Sequence, residues 1–311
     1  VTLLQHTRVT GIDVQAQEVH TQSKGAFGYR QLVLATGAQA IRLRFTGNAA
    51  DDVMSVNSLD DYTAFRAKLK PQARVLIIGA GLIGCEFAND LAASGHAVQV
   101  VDPAVAPLAS LLPSEASAQL RASLEALQVR WHFGTSASSM DRVNEGYVVT
   151  FANGHTVVVD VVLSAVGLRA DTALAQAAGL ATERGIVVNA QLQTSAPHVY
   201  ALGDNTQYAS ASAGISRTMP YVMPIMAAAK ALAQTLAGTP TDVQFALMPV
   251  AIKTPALPLV VASAAPGTAG AWQAVGEGLW HFVAAEGQVR GFVLSGSSTS
   301  RRMEQAKLVT A

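Results

Sequence analysis

Gly79, Gly81, Gly84 and Asp102 are the residues of this chain whose types and spacing best suit a chemical task. Glycines at these intervals let a backbone turn tightly and come close to a pyrophosphate, with helix amides facing the phosphate oxygens. An acid 23 positions after the first glycine (102 − 79) stands where a ribose ligand is needed. Three further small-residue motifs each end an apolar run: Ala35-Thr36-Gly37, Ala165-Val166-Gly167 and Ala201-Leu202-Gly203-Asp204.

For the glycines to serve this purpose they must join a strand to a helix. The run Val75-Leu76-Ile77-Ile78 is apolar and rich in β-branched residues, as expected of a strand covered on both faces. Residues 82–94 read as a helix with Leu82, Ile83, Phe87 and Leu91 on its apolar side and Gly95 as its stop. Residues 97–101 form a second strand ending at Asp102. Strand, loop, helix, strand and acid in this order predict an NAD(H)-binding unit, with Gly79, Gly81, Leu82, Ile83 and Gly84 at the pyrophosphate and Asp102 on the ribose hydroxyls. Pro103 and Ala104 place no cation where a 2′-phosphate would need one, so NAD is favoured over NADP.

The wider pattern is α/β. Expected elements are a strand over 31–38, a helix over 60–69, a helix over 114–127, strands near 129–133 and 147–151, an Asn153-Gly154 hairpin, and one strand over 157–162. A short helix over 171–178, strands over 185–188 and 198–202, and a Ser/Ala-rich loop over 205–216 follow. A helix then begins near Met223, with Pro224 in its first turn, and from Phe245 onward short strands alternate with Pro/Gly turns.

Lys plus Arg and Asp plus Glu number 21 each and charged residues make up 14%, a balance that points away from nucleic acid and membrane surfaces. The uncharged window 254–276 carries Pro255, Pro258 and Pro266, so membrane insertion is not expected. A single cysteine, Cys85, excludes an internal disulfide within these residues and fits a reducing cytoplasm. No metal-ligand cluster is expected.

The four motifs together, in this order, resemble the two-dinucleotide-binding FAD/NAD flavoproteins of the pyridine nucleotide-disulfide oxidoreductase family, in which an NAD domain is inserted into an FAD domain. Residues 79–91, 221–224 and 248–261 narrow the resemblance to the bacterial rubredoxin reductases. It implies two Rossmann-like domains plus a small C-terminal α+β domain: residues 1–47 and 169–243 for FAD, 48–168 for NAD, and 244–311 at the end. It also implies a glycine-rich FAD fingerprint upstream of Val1, so that the FAD domain is expected to be truncated at its N-terminus.

The resemblance carries roles with it. Ala35, Thr36, Gly37, Gly203 and Asp204 fall on FAD, with Asp204 at the ribitol, and Gly167 and Arg169 fall on NAD. Glu86 matches the acid near the nicotinamide, and Val222 and Lys253 fall at the flavin end. Glu86 and Lys253 are the two residues expected nearest the chemistry. The implied reaction is hydride transfer from NADH to FAD and single-electron delivery to rubredoxin, as in the electron supply of alkane hydroxylation. Two rival readings stay open: an NADH-dependent ferredoxin reductase of a dioxygenase system, and a non-turnover NAD(H)-binding redox module. His281 and Glu286 imitate the His-x4-Glu pair of dimeric disulfide reductases but span a strand and a hairpin turn, and are discounted.

Overall fold

The computed structural model describes residues 1–208, 217–247 and 249–309. Most of the 205–216 loop expectation, and Met248, lie outside the described residues. The chain divides into two compact units, residues 1–39 with 168–248 and residues 40–167 with 249–311.

The second unit is built on a parallel sheet in the order Val161–Ser164, Arg74–Ile78, Ala97–Asp102, Arg130–Phe133. Apolar side chains on both faces explain the unbroken hydrophobic runs. On one face Val75, Ile77, Val98 and Val100 pack with Cys85, Ala88 and Leu91 of the helix Leu82–Ala93 and with Leu120 and Leu124 of the helix Ser114–Ala126. On the other, Leu76, Ile78, Val101 and Val162 meet an antiparallel sheet of Ala137–Val143, Gly146–Phe151 and Thr156–Val159.

One expected strand is two. The run 157–162 breaks at Asp160, with Thr156–Val159 pairing antiparallel to Gly146–Phe151 and Val161–Ser164 pairing parallel to Arg74–Ile78. Asp160 makes the break by turning its carboxylate onto Arg74: Oδ2 accepts the backbone N–H at 2.7 Å and Oδ1 a guanidinium N–H at 2.6 Å. The strand Ala137–Val143 was not expected from the sequence.

Residues 250–295 form a five-stranded antiparallel sheet whose central strands are Leu259–Ala262, Val289–Ser295 and Leu279–Ala284. Ile252, Leu259, Val261, Trp280 and Val293 belong to the same apolar core as Val75 and Leu91. His281 Nε2 donates to Gln305 Oε1 at 2.7 Å, a tie to the C-terminal helix Arg302–Ala306.

The first unit contains the antiparallel strands Val9–Asp13, Glu18–Thr21 and Gly25–Gly28 and two parallel pairs. Leu32–Leu34 pairs with Val199–Ala201, and Ile186–Val188 with Thr206–Tyr208. The expected strand 31–38 is only Leu32–Leu34, half-buried except for Leu34, and Ala35-Thr36-Gly37 lie in the turn beyond it. The helix Val222–Leu236 covers this core with Ala228 and Leu232. Among the described residues no helix is long and apolar enough to cross a membrane.

Candidate dinucleotide site

Local rules shape the glycine loop. Gly79 has φ +108°, and a Cβ there would stand 2.7 Å from the Ala165 carbonyl oxygen, so only glycine fits where the loop passes the neighbouring strand end. A Cβ at Gly84 would collide with the Gly79 carbonyl, because helix and strand lie in contact there. Gly81 differs: it is the extended N-cap of Leu82–Ala93, offers no capping side chain, and a built Cβ meets no heavy atom within 4 Å among the described residues outside its own helix and chain neighbours. That clearing, in front of helix amides that have no intrahelical acceptor, fits a pyrophosphate. Leu82 is half-buried against the core, whereas Ile83 is 52% exposed beside the clearing.

The helix ends as its sequence implies. Gly95 takes φ +85°, its N–H reaches the Ala92 carbonyl at 3.0 Å, and the His96 N–H reaches Leu91 at 3.0 Å, satisfying the last carbonyls.

Asp102 closes the second strand and does more than was expected of it. Its Oδ2 accepts the Ala80 N–H at 2.6 Å and its Oδ1 the Ala104 N–H at 2.7 Å. Each carboxylate oxygen retains a second lone pair for a ribose hydroxyl. Cys85 is fully buried behind the loop, its thiol donates toward the Ala80 carbonyl at 3.4 Å, and burial pushes its pKa up to about 12. It is a packing residue.

Glu86, half-buried one position later, accepts the Lys253 backbone N–H on Oε1 at 2.8 Å. Three residues along the helix, Asn89 Oδ1 accepts the Ala256 N–H at 3.0 Å. Glu86 and Lys253 are therefore brought together, through a backbone amide, with the Lys253 side chain exposed. Gly167 adopts φ +102° at the end of its motif, and Arg169 is exposed in the strand Leu168–Ala170 of the other unit.

In the first unit, the Asp204 carboxyl is set apart by its surroundings. It is half-buried, Oδ1 is sealed from solvent with no hydrogen-bond partner among the described residues, and burial holds its pKa above the ordinary carboxylate value. A buried, unsatisfied carboxylate oxygen is costly unless a ligand hydroxyl meets it. Its neighbours fix the loop. The Gly203 N–H donates to the Tyr208 hydroxyl at 2.8 Å, while Asn205, fully buried, donates from Nδ2 to the Leu34 carbonyl at 3.2 Å and to Thr36 Oγ1 at 3.0 Å. Thr36 in turn donates to the Asp171 carbonyl at 3.0 Å. Thr36 is thus tied to the Gly203-Asp204 loop through Asn205. Asn205 and Asn89 were missed by sequence reasoning; the one available signal is a polar amide inside an otherwise apolar stretch.

Val222 is the first residue of its helix, 73% exposed, next to Met223 and Met226 at 61% each. The N-cap Tyr221 supplies no side-chain acceptor, which leaves the first amides open to a ligand. Among the described residues no group of three or more His, Cys, Asp or Glu could hold a metal ion.

Comparison with known proteins gives a consistent result. Residues 1–234 match the pyridine nucleotide-disulphide oxidoreductase family, and residues 242–309 match the rubredoxin binding C-terminal domain. A rubredoxin-NAD(+) reductase from Alcanivorax borkumensis is 42% identical over 97% of this chain and 78% of its own length. A nitric oxide reductase FlRd-NAD(+) reductase from Aeromonas hydrophila is 41% identical over 96% of this chain and 76% of its own. The crystal structure of the ferredoxin reductase for the CYP199A2 system from Rhodopseudomonas palustris superposes with a TM-score of 0.87 at 27% identity, covering 96% of this chain and 75% of that one.

Proposed function

This chain belongs to the pyridine nucleotide-disulphide oxidoreductase family, and from that premise we propose that it passes electrons from NADH through FAD to rubredoxin. The observation that carries the choice of acceptor is the rubredoxin binding match over 242–309, a module whose apolar core is continuous with that of the glycine-loop helix. In this reading residues 1–47 and 169–243 hold FAD, 48–168 hold NADH, and 244–311 receive the acceptor. Bound FAD supplies the conversion between a hydride donor and a one-electron acceptor. The chain's own residues bind and orient.

Gly79, Gly81, Leu82, Ile83 and Gly84 seat the NADH pyrophosphate, Asp102 its ribose, and Gly167 and Arg169 the far side of the cofactor. Glu86, with the oxygen that Lys253 leaves open, would approach the nicotinamide. Asp204 would accept a ribitol hydroxyl, Thr36 and Gly37 would pass near the FAD pyrophosphate with Ala35 and Gly203 as further FAD residues, the amides from Val222 onward would serve the flavin pyrimidine edge, and Lys253 would supply a cation to the flavin. Cytoplasmic residence is part of the proposal, supported by the one buried thiol.

The test is NADH-driven reduction of purified rubredoxin by the FAD-loaded protein, with a ferredoxin and a rubredoxin-free ferricyanide assay in parallel. Rubredoxin reduced at least tenfold faster than ferredoxin, about 1.4 kcal/mol in relative transition-state free energy, is the expected result. Preferential reduction of ferredoxin would favour the rival reading.

A further inference from the structure

The segment Lys253–Pro258 leaves the edge strand Val250–Ile252 and folds into a tight turn, with the Leu257 N–H on the Thr254 carbonyl at 2.9 Å and Pro255 at the second position. Thr254 is buried and closes the turn again from Oγ1 to the Leu257 carbonyl at 2.7 Å. Lys253, Pro255, Ala256 and Pro258 are exposed, so the turn shows solvent a small, mostly apolar surface beside one cation.

Two N–H groups of this segment have no partner inside the turn, and both are taken by the glycine-loop helix: Lys253 by Glu86 and Ala256 by Asn89. Glu86 and Asn89 are three apart, hence on one helix face. Asn89 is only 2% exposed, and on the other side its Nδ2 donates to Asp90 Oδ1 at 3.1 Å, which orients the amide with its oxygen toward the turn. A buried amide on a face otherwise filled by Cys85, Ala88 and Leu91 costs free energy unless that oxygen is used.

We propose that Asn89 is a positioning residue for electron delivery: with Glu86 it holds the Lys253–Pro258 turn as a preformed docking element for rubredoxin on the helix that binds NADH. The inference rests on the rubredoxin reading above. Asn89 touches neither cofactor nor acceptor; it acts by removing the turn's freedom before the acceptor arrives, which lowers the ordering cost of docking. Because Glu86 serves both the turn and the nicotinamide, the acceptor and NADH are linked, and each alters the other's affinity by the same factor.

The test compares Asn89→Leu, which keeps the branched four-atom side chain and removes the acceptor, with Asn89→Asp made alongside Asp90→Asn, which keeps the oxygen and spares it a facing carboxylate. Amide hydrogen exchange of residues 253–257 in the FAD-loaded protein should speed by about tenfold in Asn89→Leu and return toward wild type in the double variant. The KM for rubredoxin should rise by roughly fivefold in Asn89→Leu, with kcat at saturating rubredoxin retained. Loss of kcat together with a raised KM for NADH in the ferricyanide assay marks a general loss of structure and overturns the assignment. So does unchanged exchange in Asn89→Leu, or a double variant as impaired as Asn89→Leu. If the wild-type protein reduces no rubredoxin, the functional reading fails, while the exchange measurement still decides whether Asn89 clamps the turn.

Discussion

Asp102 Oδ2 lies 2.6 Å from the backbone nitrogen of Ala80, so the acid that ends the second strand braces the glycine loop that ends the first. The relationship gives Asp102 two duties, holding the loop and accepting from ribose. A 2′-phosphate brought against this fixed carboxylate, with Pro103 and Ala104 offering no compensating cation, meets like-charge repulsion. We expect kcat/KM for NADH to exceed that for NADPH by at least tenfold, about 1.4 kcal/mol. Steady-state kinetics with both nucleotides check this; equal values would remove Asp102 from the ribose.

Asp204 gives a prediction with opposite signs for the cofactor-free and FAD-bound protein. Its folded carboxyl keeps a proton to higher pH than the unfolded one, so stability falls as pH rises from the ordinary value of 3.8 through the raised folded value. Asp204→Asn should flatten that fall in the cofactor-free protein. Asp204→Ala should weaken FAD by roughly 1.5–3 kcal/mol, about 10- to 150-fold in Kd, through loss of a charge-assisted hydrogen bond. Flavin content after gel filtration reads the second effect. An Asp204→Ala protein with full flavin would make Asp204 a turn residue only.

The Arg74–Asp160 pair predicts acid sensitivity of the other unit. The Arg74 hydrogen bonds hold the Asp160 carboxyl below its ordinary value of 3.8, so the pair's contribution is complete above that pH and is lost as pH falls through the lower folded value. Side chains 41% and 31% exposed keep the contribution small after solvent screening, about 1 kcal/mol. Asp160→Asn should cost that much near neutral pH in denaturant titrations, and the deficit should vanish in acid. A deficit independent of pH would mean that the strand break, not the charge, is what Asp160 provides.

What could be read from the residues alone is what short-range rules control. The glycine loop, the Gly95 stop and the placement of Asp102 follow from steric and hydrogen-bond needs within about one βαβ unit. Asp160 could not be read as a breaker, because its partner Arg74 is 86 positions away and nothing between residues 157 and 162 except one acid marks the division. Asn205 and Asn89 are the same case: their acceptors and donors, Thr36 and Ala256, lie 169 and 167 positions distant. A buried amide declares its role only when the fold supplies its partner.

Cys85 offers a probe of the loop that needs no turnover. The thiol is fully buried, pushed up to about 12, and sits under Ala80, so the thiolate that reacts with alkylating reagents is scarce in the folded protein near neutral pH. Labelling must then wait for the loop and helix to open, and its rate reports that opening. NAD+ seated on Gly81 and Asp102 binds the closed form, so a concentration of 100 Kd should slow labelling by about a hundredfold, roughly 2.7 kcal/mol. FAD, assigned to the other unit, should slow it far less. Mass spectrometry of iodoacetamide-treated protein over time, with and without NAD+, makes the measurement. Labelling at the rate of a free thiol would show that Cys85 is accessible, and labelling indifferent to NAD+ would show that the dinucleotide does not rest on this loop.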